Sequence, residues 1–507
     1  MVTAMMIVDN MLLGLTTVFL PSNMLAITLG TVIGLLIGAL PGLSATMAIA
    51  ILVPVTFAFP PETGISMLAA LYLAAMYGGS ISAILIRTPG TPAAAATVLD
   101  GYPMAQQGKA GRALSISLGA SFTGGVISSI CLLTVAPVLG KIALEFGPVE
   151  IAAVATLGMT IIASLSQGST VKGLIAGAAG LMLSTVGMDP ITGNPRFTFG
   201  IIDLFSGIPF TVALIGLFSI PQVLRLLEND LGPAEVGVIS DKVRPRWDVL
   251  RKLMPTILRS TGIGIFVGLT PGTGGDTACW FAYNEAKRFA PEEEKEKFGK
   301  GSDYGIAAPE SSNNAVAPAA LIPTISLGIP GSSSTAVLLG GIMGHGIMPG
   351  PTLMVEHAKV AFTLIWAMFF ANFTMYVIGL YITRVAVFIT RVPAKVMASA
   401  ITIFCVIGAF AINNSFFDVY LMILFGILGY LMDKVQVPVA PLVVGLILGQ
   451  MLDVSLHQAL IISGGSWWIF FQSPLAVTLL ALAALSLSSG TGLSTAIKKW
   501  LKRSYAR

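Results

Sequence analysis

Residues 310–335 read ESSNNAVAPAALIPTISLGIPGSSST, and the chain stays apolar from there to Pro349-Gly350-Pro351. A hydrophobic segment carries a polar knot at each end. Ser311-Ser312-Asn313-Asn314 is one and Gly331-Ser332-Ser333-Ser334-Thr335 is the other. Pro330-Gly331 reads as a break between two helical halves, because proline removes a backbone donor and glycine tolerates strained dihedrals. In hydrocarbon such a break survives only where it lines a cavity or is buried in protein. The stretch therefore reads as a polar site inside a membrane. The alternative is a kinked packing helix, since Gly, Pro and Ser are common in membrane helices.

The rest of the chain supplies that membrane setting. Of 507 residues, 55% are hydrophobic and 10% charged, with mean hydropathy +0.87. Soluble domains carry about 25% charged residues. Apolar runs recur from end to end, which predicts an all-α polytopic membrane protein with about 10–12 membrane segments of ~20 residues or fewer. A transmembrane barrel would need alternating ten-residue segments, and none is present. No Lys or Arg precedes Arg87, so the N-terminus does not read as a secretory signal. Cys131, Cys279 and Cys405 lack metal-ligand spacing and read as packing residues. His345, His357 and His457 are dispersed. No phosphate-binding loop of the Gly-x4-Gly-Lys-Ser/Thr type occurs, so any energy from ATP comes from another chain. The composition points to a lipid bilayer and not to nucleic acid.

The first break has an earlier copy. Gly264-Ile-Phe-Val-Gly268-Leu-Thr-Pro271-Gly272 matches Gly34-Leu-Leu-Ile-Gly38-Ala-Leu-Pro41-Gly42 at an offset of 230 (264 − 34). Thr88-Pro89-Gly90-Thr91 answers Ile329-Pro330-Gly331-Ser332 at an offset of 241 (331 − 90). The organisation read from this is an N-terminal apolar helix at 1–21, tucked or crossing, and membrane repeat one at 22–227. A basic cytoplasmic linker at 228–251 leads to membrane repeat two at 252–472. An extra helix and basic cytoplasmic tail at 473–507 follow. If each repeat crosses an odd number of times, the two are inverted, with linker and tail both cytoplasmic. The charged insertion 284–303 reads as a solvated helical face. Broken helices at matching places in two halves are the best sequence pointer to a transporter's binding site.

The chemistry follows from the breaks. Half-helices after Pro41-Gly42, Pro89-Gly90, Pro271-Gly272 and Pro330-Gly331 present free amides and the positive end of a dipole, which suits a multiply charged anion. Ser44, Thr46, Thr88, Thr91, Thr273, Ser332, Ser333, Ser334 and Thr335 add hydroxyls to that candidate substrate site. Asn313 and Asn314 offer donors and carbonyl acceptors, and with freed backbone carbonyls could hold Na⁺. Asp276 and Glu310 are membrane acids and so candidates for ion coupling by H⁺ or Na⁺. For Glu310 the alternative is a helix start, where an acid stabilises the dipole. Arg87 could pair with a substrate carboxylate or snorkel to the interface as an anchor.

These runs, together with Phe298-Gly-Lys-Gly301, Leu327-Gly-Ile-Pro-Gly331 and His345-Gly-x-x-Pro349-Gly350-Pro351, resemble the large permease subunit of tripartite tricarboxylate transporters, the TctA family. The resemblance covers about residues 20–460. It implies a bacterial inner-membrane permease that works with a small TctB-like membrane subunit and a TctC-like periplasmic solute-binding protein. It also implies ion-gradient-driven uptake of di- or tricarboxylates such as citrate, and no enzymatic activity. Ser311-Ser312 depart from the family pattern, where small apolar residues or Thr are usual. Two other classes share some of these features. An organic-anion channel would also use half-helix dipoles. An intramembrane aspartyl protease needs Gly-x-Gly-Asp, but Thr273 stands in place of the first glycine and no partner aspartate is evident.

Overall fold

The computed structural model describes residues 2–40, 43–143, 145–164, 169–228, 243, 247–350, 352–389 and 393–490. Most of the linker, the 491–507 tail and Pro41-Gly42 lie outside the described residues. Within them the protein is helical apart from one hairpin, Gly187–Met188 paired with Pro195–Arg196. In the first half come α1 (Val2–Val18), α2 (Pro21–Gly38), α3 (Ala45–Thr56), α4 (Pro61–Ile86), α5 (Val98–Gln106), α6 (Ala110–Ala143), α7 (Pro148–Ser164), α8 (Thr170–Ser184) and α9 (Phe210–Glu228). The second half holds α10 (Trp247–Leu269), α11 (Gly274–Phe289), α12 (Glu292–Lys295), α13 (Asp303–Leu327), α14 (Ser333–Gly344), α15 (Leu353–Glu356) and α16 (Ala358–Ile389). It continues with α17 (Ala394–Asn413), α18 (Phe416–Lys434), α19 (Val439–Ile462), α20 (Ile469–Gln472) and α21 (Pro474–Gly490). Among the described residues, 8 helices are long and apolar enough to cross a membrane, with α3 and α14 among the shorter apolar pieces. The protein is an all-α polytopic membrane protein.

Every break read from the sequence that falls on described residues is a break in the structure. α4 stops at Ile86 and α13 at Leu327, before a reversal and a new helical piece. α10 stops at Leu269 and α11 starts at Gly274. The helices that stop are held in register by glycines. A Cβ on Gly34 would lie 2.4 Å from the Leu71 carbonyl oxygen, and one on Gly264 would lie 2.4 Å from that of Ser312. One turn on, Gly38 meets the Ala75 carbonyl and Gly268 meets that of Val316. The offsets are 230 on the glycine side (264 − 34, 268 − 38) and 241 on the carbonyl side (312 − 71, 316 − 75). The same backbone-to-backbone contact is thus built twice, and only glycine permits it.

Packing between the halves is reciprocal. α6 lies along α13 and α16 along α4; α9 pairs with α18, α8 with α19; α7 also touches α19, as α17 touches α9. α4 and α13 run antiparallel, because Met76 faces Asn313 while Ser80 faces Glu310. The linker end of the bundle carries Arg112–Asp303 (2.5 Å), Lys252–Glu294 (3.6 Å) and the Asp100 carboxylate, which accepts N–H bonds from Gly299, Gly301 and Ser302. The opposite end carries Lys359–Glu62 (2.5 Å) and His345–Thr56 (3.2 Å).

Three expectations change. Glu310 is not at a helix start: α13 begins at Asp303 with Ser302 as its cap, and Glu310 sits deep inside. The knot Ser311-Ser312-Asn313-Asn314 is likewise helix interior, fully buried. Within the stretch 22–227 read as membrane repeat one, residues 201–209 are not helical apart from a short turn at Ile202–Leu204, and α9 begins at Phe210 after Pro209. At the N-terminus α1 packs antiparallel to the start of α16, with Gly14 against Phe362 and the Trp366 indole donating to the Met11 carbonyl (2.9 Å).

Candidate functional site

A cavity of about 690 Å³ lies where three helices begin. Its wall is formed by the starts of α3 (Ser44, Thr46), α11 (Gly272 to Thr277) and α14 (Ser332 to Ser334), and by Thr91, Pro92 and Ala93 after the α4 break. Asp433 at the end of α18, Gln436 and Val437 in the connection, and Pro438 to Ala440 at the start of α19 complete it. Each wall has a local cause. Ser332 caps α14 by accepting the Thr335 N–H (3.2 Å), while Thr335 Oγ1 accepts the Ser332 N–H (2.8 Å), a reciprocal capping box. Ser44 caps α3 by accepting the Met47 N–H (3.2 Å). Thr46 and Ser334 share a hydrogen bond (2.9 Å), tying α3 to α14, and Tyr72 on α4 reaches Ser332 (3.3 Å). The Gly272 N–H donates to the Gly331 carbonyl (3.0 Å), which stitches one break to the other. Gly272 (φ 84) and Gly274 (φ 65) stand in the left-handed region that lets the chain turn here.

The sequence-derived residues divide into three groups. Ser44, Thr46, Thr91, Gly272, Thr273, Asp276, Ser332, Ser333 and Ser334 line the cavity together. Not all of their hydroxyls are free for a ligand. Those of Ser44 and Ser332 are caps, and Thr273 donates to the Val267 and Thr270 carbonyls. Thr91 Oγ1, by contrast, is buried with no partner. Pro89, Gly90, Pro271 and Gly331 are not lining residues. A Cβ on Gly90 would lie 1.9 Å from the Gly38 carbonyl oxygen, so this glycine is needed for the breaks to close on each other. Thr88 is exposed and donates to the Ile86 carbonyl (3.3 Å), while Pro41 and Gly42 lie outside the described residues. Arg87 is exposed near the Tyr102 ring (5.9 Å) and is not part of the cavity wall.

Glu310, Asn313 and Asn314 form the third group, fully buried one layer deeper. Asn313 donates to the Met76 carbonyl (3.4 Å), and Asn314 donates to the Met375 sulfur (3.5 Å). Neighbouring helical positions diverge by about 100°. The two asparagines therefore face α4 and α16 separately and do not share one site. Each keeps an unpartnered side-chain oxygen, and that of Asn313 points at Gly275 in the cavity wall.

Sequence reasoning missed the 433–440 connection, which had no signal beyond an acid at the end of an apolar span. It also missed Tyr72 and the hydroxyls around Glu310, because serines and threonines in apolar helices carry no mark of what they face. The charge of the wall is unexpected for an anion site. Among the described residues it holds Asp276 and Asp433 and no Lys or Arg. Asp433 is paired with Arg225, leaving Asp276 as the carboxylate at the α11 start. Among the described lining residues, positive character comes from helix N-termini.

A family model described as "Tripartite tricarboxylate transporter TctA family" matches residues 24–444. An uncharacterised 52.8 kDa protein in the TAR-I ttuC' 3' region of Agrobacterium vitis is 37% identical over 479 residues, 94% of each chain. An uncharacterised protein in the TAR-II ttuC' 3' region of the same organism is 36% identical over 219 residues, covering 43% of this chain and 90% of its own. No solved structure matches.

Proposed function

Because the chain belongs to the tripartite tricarboxylate transporter TctA family, we propose that it is the large permease subunit of a secondary active importer of di- or tricarboxylates. The observation that carries this is the cavity built from the starts of α3, α11 and α14. Free amides and dipole ends converge there on a space of the size ligand sites occupy, roughly 300–1,000 Å³. Ser333, Thr46, Thr91, the backbone amides at the starts of α11 and α14 and, by repeat, Pro41-Gly42 receive the carboxylates.

Among the described residues the wall contributes Asp276, beside an Asp433 paired with Arg225, and no basic side chain, so a bare polyanion entering it is not charge-balanced. Cotransport of a cation, H⁺ or Na⁺, supplies the balance, with Asp276, Glu310, Asn313 and Asn314 as the coupling groups. The duplicated glycine contacts and the opposed directions of α4 and α13 support two inverted repeats that rock about the cavity. Basic residues gather at the linker end, among them Lys109, Arg112, Lys252 and Lys300, which supports that end as the cytoplasmic one of a protein of the bacterial inner membrane. A small membrane subunit and a periplasmic binding protein complete the system.

Reconstitution with both partners tests this reading. Labelled citrate uptake should require the binding protein and rise with an imposed Na⁺ or H⁺ gradient. Uptake that follows only the gradient of citrate itself would mean a channel. A cysteine at Pro60 should label from the face opposite to one at Asp241. Labelling of both from one face would end the inverted-repeat reading.

A further inference from the structure

Glu310 has a surrounding that the cavity alone does not explain. It is 0% exposed, in the middle of α13. Hydroxyls from three other segments donate to its carboxylate. Ser80 on α4 lies 2.6 Å from each oxygen, Ser117 and Ser121 on α6 lie 2.9 and 3.1 Å from Oε2, and Thr97 donates to Oε1. Among the described residues no Lys, Arg or His is a partner of it. Burying an unpaired carboxylate is costly, and four neutral donors offset that cost without removing the charge. The titratable groups that face it are Tyr77 on α4 and Cys279 on α11, with Asp276 one turn before Cys279 and Asp100 on α5 beside Gly305. α6 offers only serines here, and α10 packs against α13 through Gly264 and Gly268.

We propose that Glu310 is the proton-carrying residue of the transport cycle, and that its protonation releases Thr97 and with it the 91–97 segment, which brings Thr91 to Ala93 to the cavity wall. This rests on the transporter reading above. The reasoning concerns space and hydrogen-bond count. A cation the size of Ca²⁺ or Na⁺ sits about 2.3–2.6 Å from each of several oxygens, which holds those oxygens well apart. The oxygens around Glu310 are in direct hydrogen-bond contact and leave no such gap, so the nest takes a proton. As the anion, the carboxylate accepts from all four hydroxyls. On protonation one of its oxygens becomes a donor, and a hydroxyl that faced it must turn its own hydrogen elsewhere.

Thr97 is the donor placed to let go. Ser80, Ser117 and Ser121 stand on long buried helices, whereas Thr97 lies between the short turn Pro92–Ala94 and α5. The same segment brings Thr91, Pro92 and Ala93 to the cavity wall. A Cβ on Gly275, at the start of α11, would meet both Ala93 and the unpartnered Asn313 oxygen at 2.9 Å. A shift of this segment changes the cavity and opens Glu310 to it. The proton comes from cavity water on one side and returns to water on the other, with no other bond made or broken.

The test has a spectroscopic arm independent of substrate. Infrared difference spectra of the purified protein across a pH series should show the carbonyl stretch of a buried carboxylic acid. Glu310→Gln should remove that band. The double variant Ser117→Ala/Ser121→Ala, which keeps the acid, should move the pH at which the band appears by about one unit or more, since donors to a charged group are worth ~1.5–3 kcal/mol each. Identical spectra for wild type, Glu310→Gln and the double variant overturn the proposal. If Glu310→Gln does not fold, the double variant decides alone. In proteoliposomes, wild-type citrate uptake should respond to an imposed pH gradient and that of Glu310→Gln should not. Wild-type uptake that follows Na⁺ and ignores the pH gradient also overturns it. Wild-type protein that moves no citrate under any gradient counts against the transporter reading, while the infrared result still decides the protonation.

Discussion

α4 and α13 occupy the same place in their halves and have opposite contents. Aligned at the offset of 241, Ala69, Tyr72 and Leu73 of α4 stand where α13 has Glu310, Asn313 and Asn314. Both helices are buried along nearly their whole length, and both take glycines of a neighbour against their carbonyls. What the halves share is therefore geometry, set by close backbone approach. What they divide is polarity: α13 brings the acid and amides, and α4 brings Ser80 to the acid and Tyr72 to the Ser332 cap. The symmetric part builds breaks, and the asymmetric part gives them a charge to respond to.

The largest effects should fall on the shared geometry, and equally on both halves. Gly90→Leu and Gly331→Leu each place a side chain where no room exists, against Gly38 and against Ala320. Both should lower citrate uptake by at least tenfold, the overpacking costing ~1–3 kcal/mol or more. Normal uptake by either one would show that its break is a packing kink, and the halves would not be equivalent.

The next effects should be confined to the asymmetric part. Ser80→Ala takes away the donor that bridges both oxygens of Glu310. Loss of a hydrogen bond to a charged group costs ~1.5–3 kcal/mol, readable as a lower unfolding midpoint in detergent. An unchanged midpoint would mean that the nest contributes nothing to stability.

Cavity variants sharpen the division between substrate and cation. Ser333→Ala should raise the half-saturating citrate concentration by about tenfold and leave cation dependence alone. Asn313→Ala acts behind the wall, so it should shift H⁺ or Na⁺ dependence first and weaken citrate only at low cation, because coupling is reciprocal. A grid of citrate and cation concentrations in proteoliposomes separates the two. Equal shifts in both variants would defeat the division of labour.

The smallest effect concerns the residues that end the two helices. Arg87 (φ 59) and Gly328 (φ 75), again 241 apart (328 − 87), both adopt the left-handed conformation. Gly328→Ala should cost about 1–2 kcal/mol. Arg87→Gly relieves that strain but frees the unfolded chain, so stability should stay within about 0.5 kcal/mol. Uptake should be unchanged, since Arg87 stands outside the cavity. A large loss of uptake in Arg87→Gly would restore the arginine as a substrate contact.

The sequence alone determined the membrane class, the places where helices break and the registers of the two halves. These are local properties: apolar run length, proline's missing donor and glycine's missing Cβ act wherever the chain goes. The family was legible for the same reason, through short runs such as Leu327-Gly-Ile-Pro-Gly331. The cavity was legible in part, because break residues on α3, α11 and α14 carry their own signal, whereas Asp433 and Gln436 carry none. Only the tertiary structure decided which hydroxyls are spent as caps, and that Asn313 and Asn314 part company. It alone decided that Glu310 is a buried acid and not a helix-start charge. Its donors come from Ser80, Thr97, Ser117 and Ser121, about two hundred residues away along the chain. A serine in an apolar helix looks the same whether it returns its hydrogen to its own backbone or gives it to a carboxylate, and only packing chooses between them.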